Sequence, residues 1–198
     1  HVQKVKALER IERKEYRILV CLSSPRTART LTSIALAMAK KHNAEIILLH
    51  IVEVREGQKL RAGFGEMAGK ELDLEDMEKL AREAGIPARS IVRLTHRISQ
   101  GIIDTAVEEN CNFVVMGRQK HPNLSERVFS SLVDNVLQKV PTEMAVMHDA
   151  FSGDNIRTVL VPFGANVHTN LALEIAPVLA VNDRHNGATD FRRNGASV

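Results

Sequence analysis

The chain has 198 residues, of which 44% are hydrophobic and 26% are charged, a composition typical of a globular α/β domain. A net charge of only +3, one tyrosine and no tryptophan exclude the basic, aromatic surface of a typical nucleic-acid-binding protein. No apolar run reaches the ~20 residues that a membrane-spanning helix needs, and the charged first residues predict no signal peptide.

The cysteines and histidines do not predict a metal site or a disulfide. Cys21 and Cys111 each lie in or beside a predicted buried strand, which favours buried thiols in a reducing compartment. The eight histidines are scattered, without the spacing of metal ligands. We therefore expect no metal.

The first 15 residues predict an amphipathic connector. Val2, Val5, Leu8 and Ile11 recur at steps of three, and charged residues fill the remaining positions of 1–15. The interpretations left open are a solvated linker helix and a tether from an upstream part of a longer protein. The start at a residue other than Met favours the tether.

Alternating strand and helix patterns follow. Apolar runs predict strands at 17–22, 44–52, 90–94, 113–116 and 143–147. Helical periodicity predicts helices over about 26–41, 70–84, 101–109 and the residues after Ser130-Ser131, with a long glycine-rich loop at 53–69. Near-continuous apolar strands that alternate with helices predict an α/β fold, a five-stranded parallel sheet with helices on both faces.

The stretch 112–131 combines a buried strand, a glycine and a basic loop. Gly117 is expected to end the strand, and Ser130-Ser131 are expected near the start of the next helix. Free N–H groups and the helix dipole at such a start favour a phosphate. The Ser23-Ser24 turn, with Pro25 suited to a helix start, leaves the first strand at the same predicted edge.

Residues 157–180 repeat the start of the domain. At a constant shift of 141 positions, Val159-Leu160-Val161 aligns with Ile18-Leu19-Val20 and Ile175-Ala176 aligns with Ile34-Ala35. Two unrelated strand–helix units are the alternative. The predicted organisation is listed from the N-terminus as connector 1–15, domain 16–150, incomplete second repeat 156–180 and irregular or disordered tail 181–198.

Residues 16–148 resemble the universal stress protein family, and 156–180 resemble the start of a second such domain. The resemblance implies strand order 3-2-1-4-5 and dimerisation through the last strand. ATP-binding members carry, after strand four, a glycine, two residues, a glycine, nine residues, then Gly-Ser or Gly-Thr. Here Gly117 keeps the first position, Lys120 occupies the second, and Ser130 followed by Ser131 occupies the third.

The same resemblance places Ser23 where those members have an acidic residue, and Ile51 where a hydrophobic residue lies near adenine. Lys120 and Ser130 add side chains where backbone would approach phosphate, whereas Arg118 and Lys120 could supply charge to an anion. No cofactor is required by this interpretation, and ATP or AMP is the candidate nucleotide. The candidate binding residues are Ser23, Ile51, Gly117, Arg118, Lys120, Ser130 and Ser131.

Residues 18–39 are also similar to the start of universal stress domains fused to the cytoplasmic C-terminus of amino-acid permeases. This predicts a regulatory domain at the cytoplasmic face of the cell membrane, joined to the transmembrane domain of an amino-acid transporter, with cationic amino acids as one substrate class. A homodimer through 143–147 is expected. The alternative is a stand-alone universal stress protein that binds ATP or AMP.

We do not expect an enzyme. A phosphate-accepting receiver domain needs acidic residues after strands one and three, where this chain has Ser23-Ser24 and Thr95-His96. The sequence has no Gly-x-Ser-x-Gly elbow and no Walker loop. His96 lacks a nucleophile or an orienting carboxylate in the pattern, which favours a structural role.

Overall fold

A computed structural model describes residues 14–57, 59, 73–118 and 126–148, together with 160–161, 172–173 and 175–177. The strands are β1 Arg17–Leu22, β2 Glu45–Glu53, β3 Ala88–Thr95, β4 Phe113–Arg118 and β5 Glu143–His148. The helices between them are α1 Pro25–His42, α2 Leu74–Glu83, α3 Ile98–Glu108 and α4 Glu126–Lys139.

The five strands form one parallel sheet in the order β3-β2-β1-β4-β5, which confirms the predicted fold. Strand β1 is central, with Ile18 opposite Ile46 of β2 on one side and Phe113 of β4 on the other. Ile18, Ile46 and Phe113 are fully buried, as expected for a strand run covered on both faces.

Helices cover the two faces of the sheet in pairs. On one face, Leu19 and Ile47 form a buried cluster with Ile102 of α3 and Val136 of α4. On the other face, α1 packs on β1, β2 and β4, and α2 packs on β2 and β3. Because every strand runs the same way, all the carboxyl ends meet at one edge, where open α/β sheets bind ligands.

The turn after β1 starts α1 in the predicted manner. Ser24 is the N-cap, and its side chain accepts a hydrogen bond from the Arg26 N–H at 3.2 Å. Pro25 occupies the first turn, where its missing N–H has no consequence. Asn43 ends the helix in the left-handed conformation, with φ 50°. Because Ser24 caps α1, Ser23 is held between the end of β1 and the start of this helix.

Several predicted boundaries were wrong. Gly117 does not end β4, because the ladder with β5 continues through Gly117–Met147 to Arg118–His148. Helix α3 starts at Ile98, earlier than the predicted 101. Helix α2 begins at Leu74 after its N-cap Asp73, while 70–72 of the predicted helix lie outside the described residues.

The chain divides into two compact units, His1–Ala150 and Phe151–Val198. In the second unit, the described residues 172–173 and 175–177 are helical, as the repeat predicts for Ile175-Ala176. Leu160 and Val161 have no regular structure, so the predicted strand is not present at these two residues. Residues 1–13 of the predicted connector 1–15 and the tail at 181–198 lie outside the described residues, Lys14 and Glu15 are not helical, and the second repeat stays a prediction.

Candidate functional site

Three of the predicted site residues lie toward the carboxyl ends of adjacent strands. Ser23 follows β1, Ile51 lies near the end of β2, and Gly117 lies near the end of β4. Strand β1 is paired with both β2 and β4, so the topology brings the three positions to one edge of the sheet. Ser23 is exposed, whereas Ile51 is half-buried.

Ile51 is held by helix α3. It packs against the buried cluster on the α3 and α4 face. A Cβ added to Gly101 of α3 would lie 3.0 Å from Ile51 Cδ1 and 3.1 Å from Thr95 Cγ2. The missing side chain at Gly101 therefore lets α3 approach the ends of β2 and β3 closely.

Gly117 faces the opposite side of the sheet. A Cβ at this position would lie 3.2 Å from Leu31 Cδ1 and 3.8 Å from Thr27 Oγ1, both in α1. Gly117 lies within β4, and the glycines with positive φ in the described part of the chain are Gly57 and Gly85. The packing of α1 thus accounts for this glycine without a bound phosphate.

The other predicted loop residues are not brought together by the described structure. Arg118 is the last residue of β4, its side chain is not described, and Lys120 lies outside the described residues. Ser130 and Ser131 do not precede α4, because the helix begins at Glu126 and places both in its second turn. The first four amides of an α-helix lack an intrahelical acceptor. The amides of Ser130 and Ser131 lie beyond this first turn.

The sequence contained a signal for this earlier helix start. Val128 precedes Leu132 by four residues, the helical repeat, and Glu126 suits a first turn. The basic residue Arg127 and the family spacing instead led to the interpretation of 118–129 as loop.

Two histidines connect neighbouring chain segments at the carboxyl edge. His50 Nδ1 lies 3.0 Å from the Leu22 carbonyl oxygen, and His96 Nδ1 lies 2.8 Å from the Val54 carbonyl oxygen. A carbonyl oxygen only accepts, so Nδ1 is the donor in each of these contacts. His96 therefore holds the segment after β2, in line with the structural role inferred from the sequence.

A charged group that sequence reasoning missed lies at the opposite, amino edge. We define the amino-edge cluster as Arg17 of β1, Glu45 of β2, Arg89 of β3 and Glu109 at the end of α3. Glu45 is 1% exposed, and its Oε1 lies 3.2 Å from Arg17 Nε and 3.9 Å from Arg89 Nη2. Arg89 also pairs with the Glu109 carboxylate, and Arg17 Nη1 donates to the Glu109 carbonyl oxygen.

Arg93 extends this arrangement along β3. Its guanidinium pairs with both carboxylate oxygens of Glu108, at 2.7 and 2.8 Å, and donates to Thr105 Oγ1 at 3.0 Å. The hydrogen bond from Arg93 lowers the pKa of Glu108, and the same bond raises the pKa of Arg93. Polar first residues on otherwise apolar strands were the available signal, but their pairing depends on strand order and register.

An open depression of about 530 Å³ also lies at the amino edge, lined by the six residues that follow. They are Lys14, Glu15, Tyr16, His42, Asn43 and Asn112. The rings of Tyr16 and His42 stack with centroids 4.6 Å apart. This depression is at the other end of the strands from the predicted nucleotide site.

Both cysteines are free and have suppressed acidity. Burial raises the pKa of the Cys21 thiol to about 12, and burial likewise raises the pKa of the Cys111 thiol to about 12. Such thiols are poor nucleophiles and poor metal ligands at neutral pH because the thiolate is the reactive form.

Within the described residues, no three His, Cys, Asp or Glu side chains are grouped as metal ligands would be. A search of the same part of the chain finds no helix with the length and apolarity to span a bilayer.

Comparison with known proteins places these features in a family context. The profile of the universal stress protein family matches residues 16–148. None of the curated proteins compared matches the chain.

Solved structures of that family share the fold. The hypothetical protein MJ0577, the subject of a structure-based assignment of biochemical function, matches with TM-score 0.56 and 23% identity over 69% of this chain and 98% of its own. UspA from Lactobacillus plantarum gives TM-score 0.53 and 18% identity over 69% of this chain and 99% of its own. A universal stress protein from Archaeoglobus fulgidus DSM 4304 gives 0.52 and 20%, over 69% of this chain and 45% of its own. At these identities the likeness concerns the fold alone.

Proposed function

Since the chain belongs to the universal stress protein family, we propose that it is a non-catalytic regulatory domain whose nucleotide-binding loop is degenerate. In this proposal the domain contacts other parts of the protein and transmits conformational changes to them, but it does not bind ATP or AMP tightly. The alternative within the same family is a stand-alone protein that binds ATP or AMP.

The observation that carries the proposal is the start of α4 at Glu126. The family resemblance implies that backbone amides near the position of Ser130 would approach phosphate, as the free amides at a helix start can. In this chain the amide of Ser130 lies past the first turn of the helix, where the Glu126 carbonyl is its regular acceptor. The packing of Gly117 on Leu31 and the exposed Ser23 in place of an acid support the same proposal.

Restoring the missing residues tests this directly. We expect calorimetric titration of the natural chain with ATP or AMP to show no binding at micromolar nucleotide. A variant combining Ser23→Asp, Lys120→Gly and Ser130→Gly should gain measurable binding, because it restores the acid and frees the backbone.

Lys59→Gly is the matched control, because it removes the same charge from an exposed position outside this loop. Micromolar binding by the natural chain would favour the stand-alone nucleotide-binding alternative. ATP hydrolysis that is lost on His96→Asn would overturn the non-catalytic assignment.

We place this domain in an amino-acid transporter, at the cytoplasmic face of the cell membrane and joined to the transmembrane domain of the same polypeptide. The support is the similarity of residues 18–39 to permease-fused domains and the repeat at 157–180. The reading frame upstream of His1 tests it. Absence of membrane-length apolar segments there would contradict the transporter assignment.

A homodimer through β5 is part of the same proposal. Strand β5 is paired with β4 on one side only in the described sheet, and its Val146 is 37% exposed. Apolar edge strands pair with further strands unless they are protected. We expect light scattering to show a dimer that Val146→Lys converts to a monomer, whereas Val92→Lys on the opposite edge leaves the dimer intact. A natural chain that is monomeric at high concentration would contradict this assignment.

A further inference from the structure

The amino-edge cluster connects three parts of the chain that are distant in sequence. Glu45 accepts the backbone N–H of Lys14 at Oε2, 3.3 Å away, and pairs with Arg17 and Arg89 through Oε1. Arg17 and Arg89 in turn bind the carbonyl and the carboxylate of Glu109. One buried carboxylate therefore lies between the chain that leads into β1 and the C-terminus of α3.

Arginine side chains at a helix C-terminus stabilise it through the helix dipole. Arg17 and Arg89 bind Glu109, while Arg93 binds Glu108 and Thr105 in the last turn. The end of α3 is thus held to β1 and β3 by three guanidinium groups.

Helix α3 extends this constraint from the amino edge toward the carboxyl edge of the sheet. Thr105 Oγ1, which accepts from Arg93, itself donates to the Gly101 carbonyl oxygen at 2.8 Å. Gly101 is the residue that packs against Ile51 and Thr95 at the carboxyl edge. A continuous set of contacts therefore runs from Lys14 through Glu45 and α3 to Ile51 and Thr95 at the carboxyl edge.

The central ion pair of the cluster is incompletely satisfied. Arg17 Nε and Glu45 Oε1 are buried and 3.2 Å apart, yet neither makes a hydrogen bond of good geometry. Buried charge pairs of this kind respond strongly to the loss of a partner, because little solvent compensates for it. A displacement of Lys14–Arg17 would remove both the Lys14 N–H contact and the Arg17 ion pair from Glu45.

We propose that the amino-edge cluster is a conformational latch, which holds α3 in place while the incoming chain at Lys14–Arg17 is seated and loosens α3 when that chain is displaced. The latch would give the proposed regulatory domain a physical path from the incoming chain to helix α3. It requires neither a nucleotide nor a transporter, so its test is separate from that of the proposed function.

Tyr16 provides a built-in reporter, because it is the one tyrosine of a chain without tryptophan. It is adjacent to Arg17 and stacks on His42. Its fluorescence therefore reports the seating of the incoming chain in the unlabelled full-length protein. Hydrogen exchange followed by mass spectrometry reports α3 independently.

The decisive variant is Glu45→Gln in the full 198-residue chain. We expect Tyr16 emission to change, and amide exchange to rise roughly tenfold or more both at 14–17 and at 105–109, as for the loss of a charge-assisted bond. Glu53→Gln, at the exposed end of the same strand, is the control and should change neither signal.

Glu109→Gln keeps the result interpretable if Glu45→Gln unfolds the chain. Glu109 is partly exposed and retains its backbone carbonyl, so the fold should persist while the Arg89 pair weakens. The latch requires Tyr16 emission to shift in this variant as well, although the substitution is at the end of α3. Faster exchange at only one of the two segments, or an unchanged Tyr16 signal in Glu109→Gln, would overturn the latch.

Discussion

The two edges of the sheet differ in how their polar groups are used. At the amino edge, the described side chains form buried ion pairs around Glu45 and bind the end of α3. At the carboxyl edge, where parallel sheets bind ligands, Ser23 is exposed and Ile51 and Gly117 serve packing. The described polar side chains at the amino edge hold helix α3, whereas the described candidate residues at the carboxyl edge are exposed or packed against neighbouring helices.

Gly117 shows that a packing requirement and a binding requirement can fall on the same residue. Packing of α1 on β4 leaves little room for a side chain at Gly117, whether or not phosphate binds. Helix packing alone can therefore favour a glycine at this position. Its presence by itself is weak support for a nucleotide site.

The largest expected effect is on the reactivity of the two thiols. It tests whether both are shielded from water in the folded protein. With the pKa of Cys21 and of Cys111 raised from 9.0 to about 12, native thiols should react roughly a thousandfold more slowly than unfolded ones at equal pH. Alkylation followed by mass spectrometry measures both sites.

The same shift predicts a pH dependence. Because the folded thiols ionise only at higher pH, their contribution to stability is complete below about pH 9 and is lost as pH rises toward 12. The Cys21→Ala/Cys111→Ala variant should lose less stability over this window in urea unfolding. Equal losses in both proteins would show that the thiols are not the cause.

The next effect sharpens the contrast at the amino edge. Glu45→Ala leaves Arg17 and Arg89 without their buried partner, and we expect a loss of roughly 3–5 kcal/mol in the free energy of unfolding. Urea titration followed by circular dichroism measures it. Glu53→Ala, on the same strand but exposed, should stay within about 0.5 kcal/mol of the natural chain. A comparable loss in both would remove the special role of Glu45.

A smaller effect is expected at the carboxyl edge. Gly117→Ala brings a Cβ within 3.2 Å of Leu31 Cδ1, and overpacking of this kind costs about 1–3 kcal/mol. In a double-mutant cycle, the cost should shrink when Leu31 is already Ala, because the contacting methyl is gone. A cost that is unchanged in the Leu31→Ala background would mean that α1 packing does not explain the glycine.

The smallest effect concerns the exposed pair of Arg93 and Glu108. Because Arg93 lowers the pKa of Glu108, the pair stabilises the fold above the usual glutamate range and loses that contribution as pH falls through the lowered value. Glu108→Gln should destabilise the chain less than Glu45→Ala. The destabilisation caused by Glu108→Gln should decrease at high salt, because exposed charges are screened. A destabilisation by Glu108→Gln that persists in high salt would mean that this pair behaves like the buried ion pairs of the amino-edge cluster.

Sequence periodicity gave the strands, the helices and the α/β class correctly, because burial on both faces imposes apolar runs of strand length. The predicted parallel sheet also places Ser23, Ile51 and Gly117 at one edge, since each lies near or just after the carboxyl end of a strand. Boundaries were less predictable. Arg118 joins β4 only because His148 of β5 is opposite it.

The start of α4 and the charged cluster were missed for the same physical reason. Ser130 was assigned from a local pattern, but a helix start is set by the cooperative formation of its first turn and its tertiary contacts. Arg17, Glu45 and Arg89 are unremarkable in the sequence, because each is a single polar residue beside an apolar run. Only the strand order and register bring them together.

For the segment between strand four and the next helix, the sequence by itself determined the location: a glycine near the end of a buried strand, beside the turn after β1. The tertiary structure decided what that place contains, with Gly117 packed against Leu31 and Ser130 inside α4. Local pattern specifies which elements form, whereas contacts between distant elements specify which of their atoms remain available to a ligand.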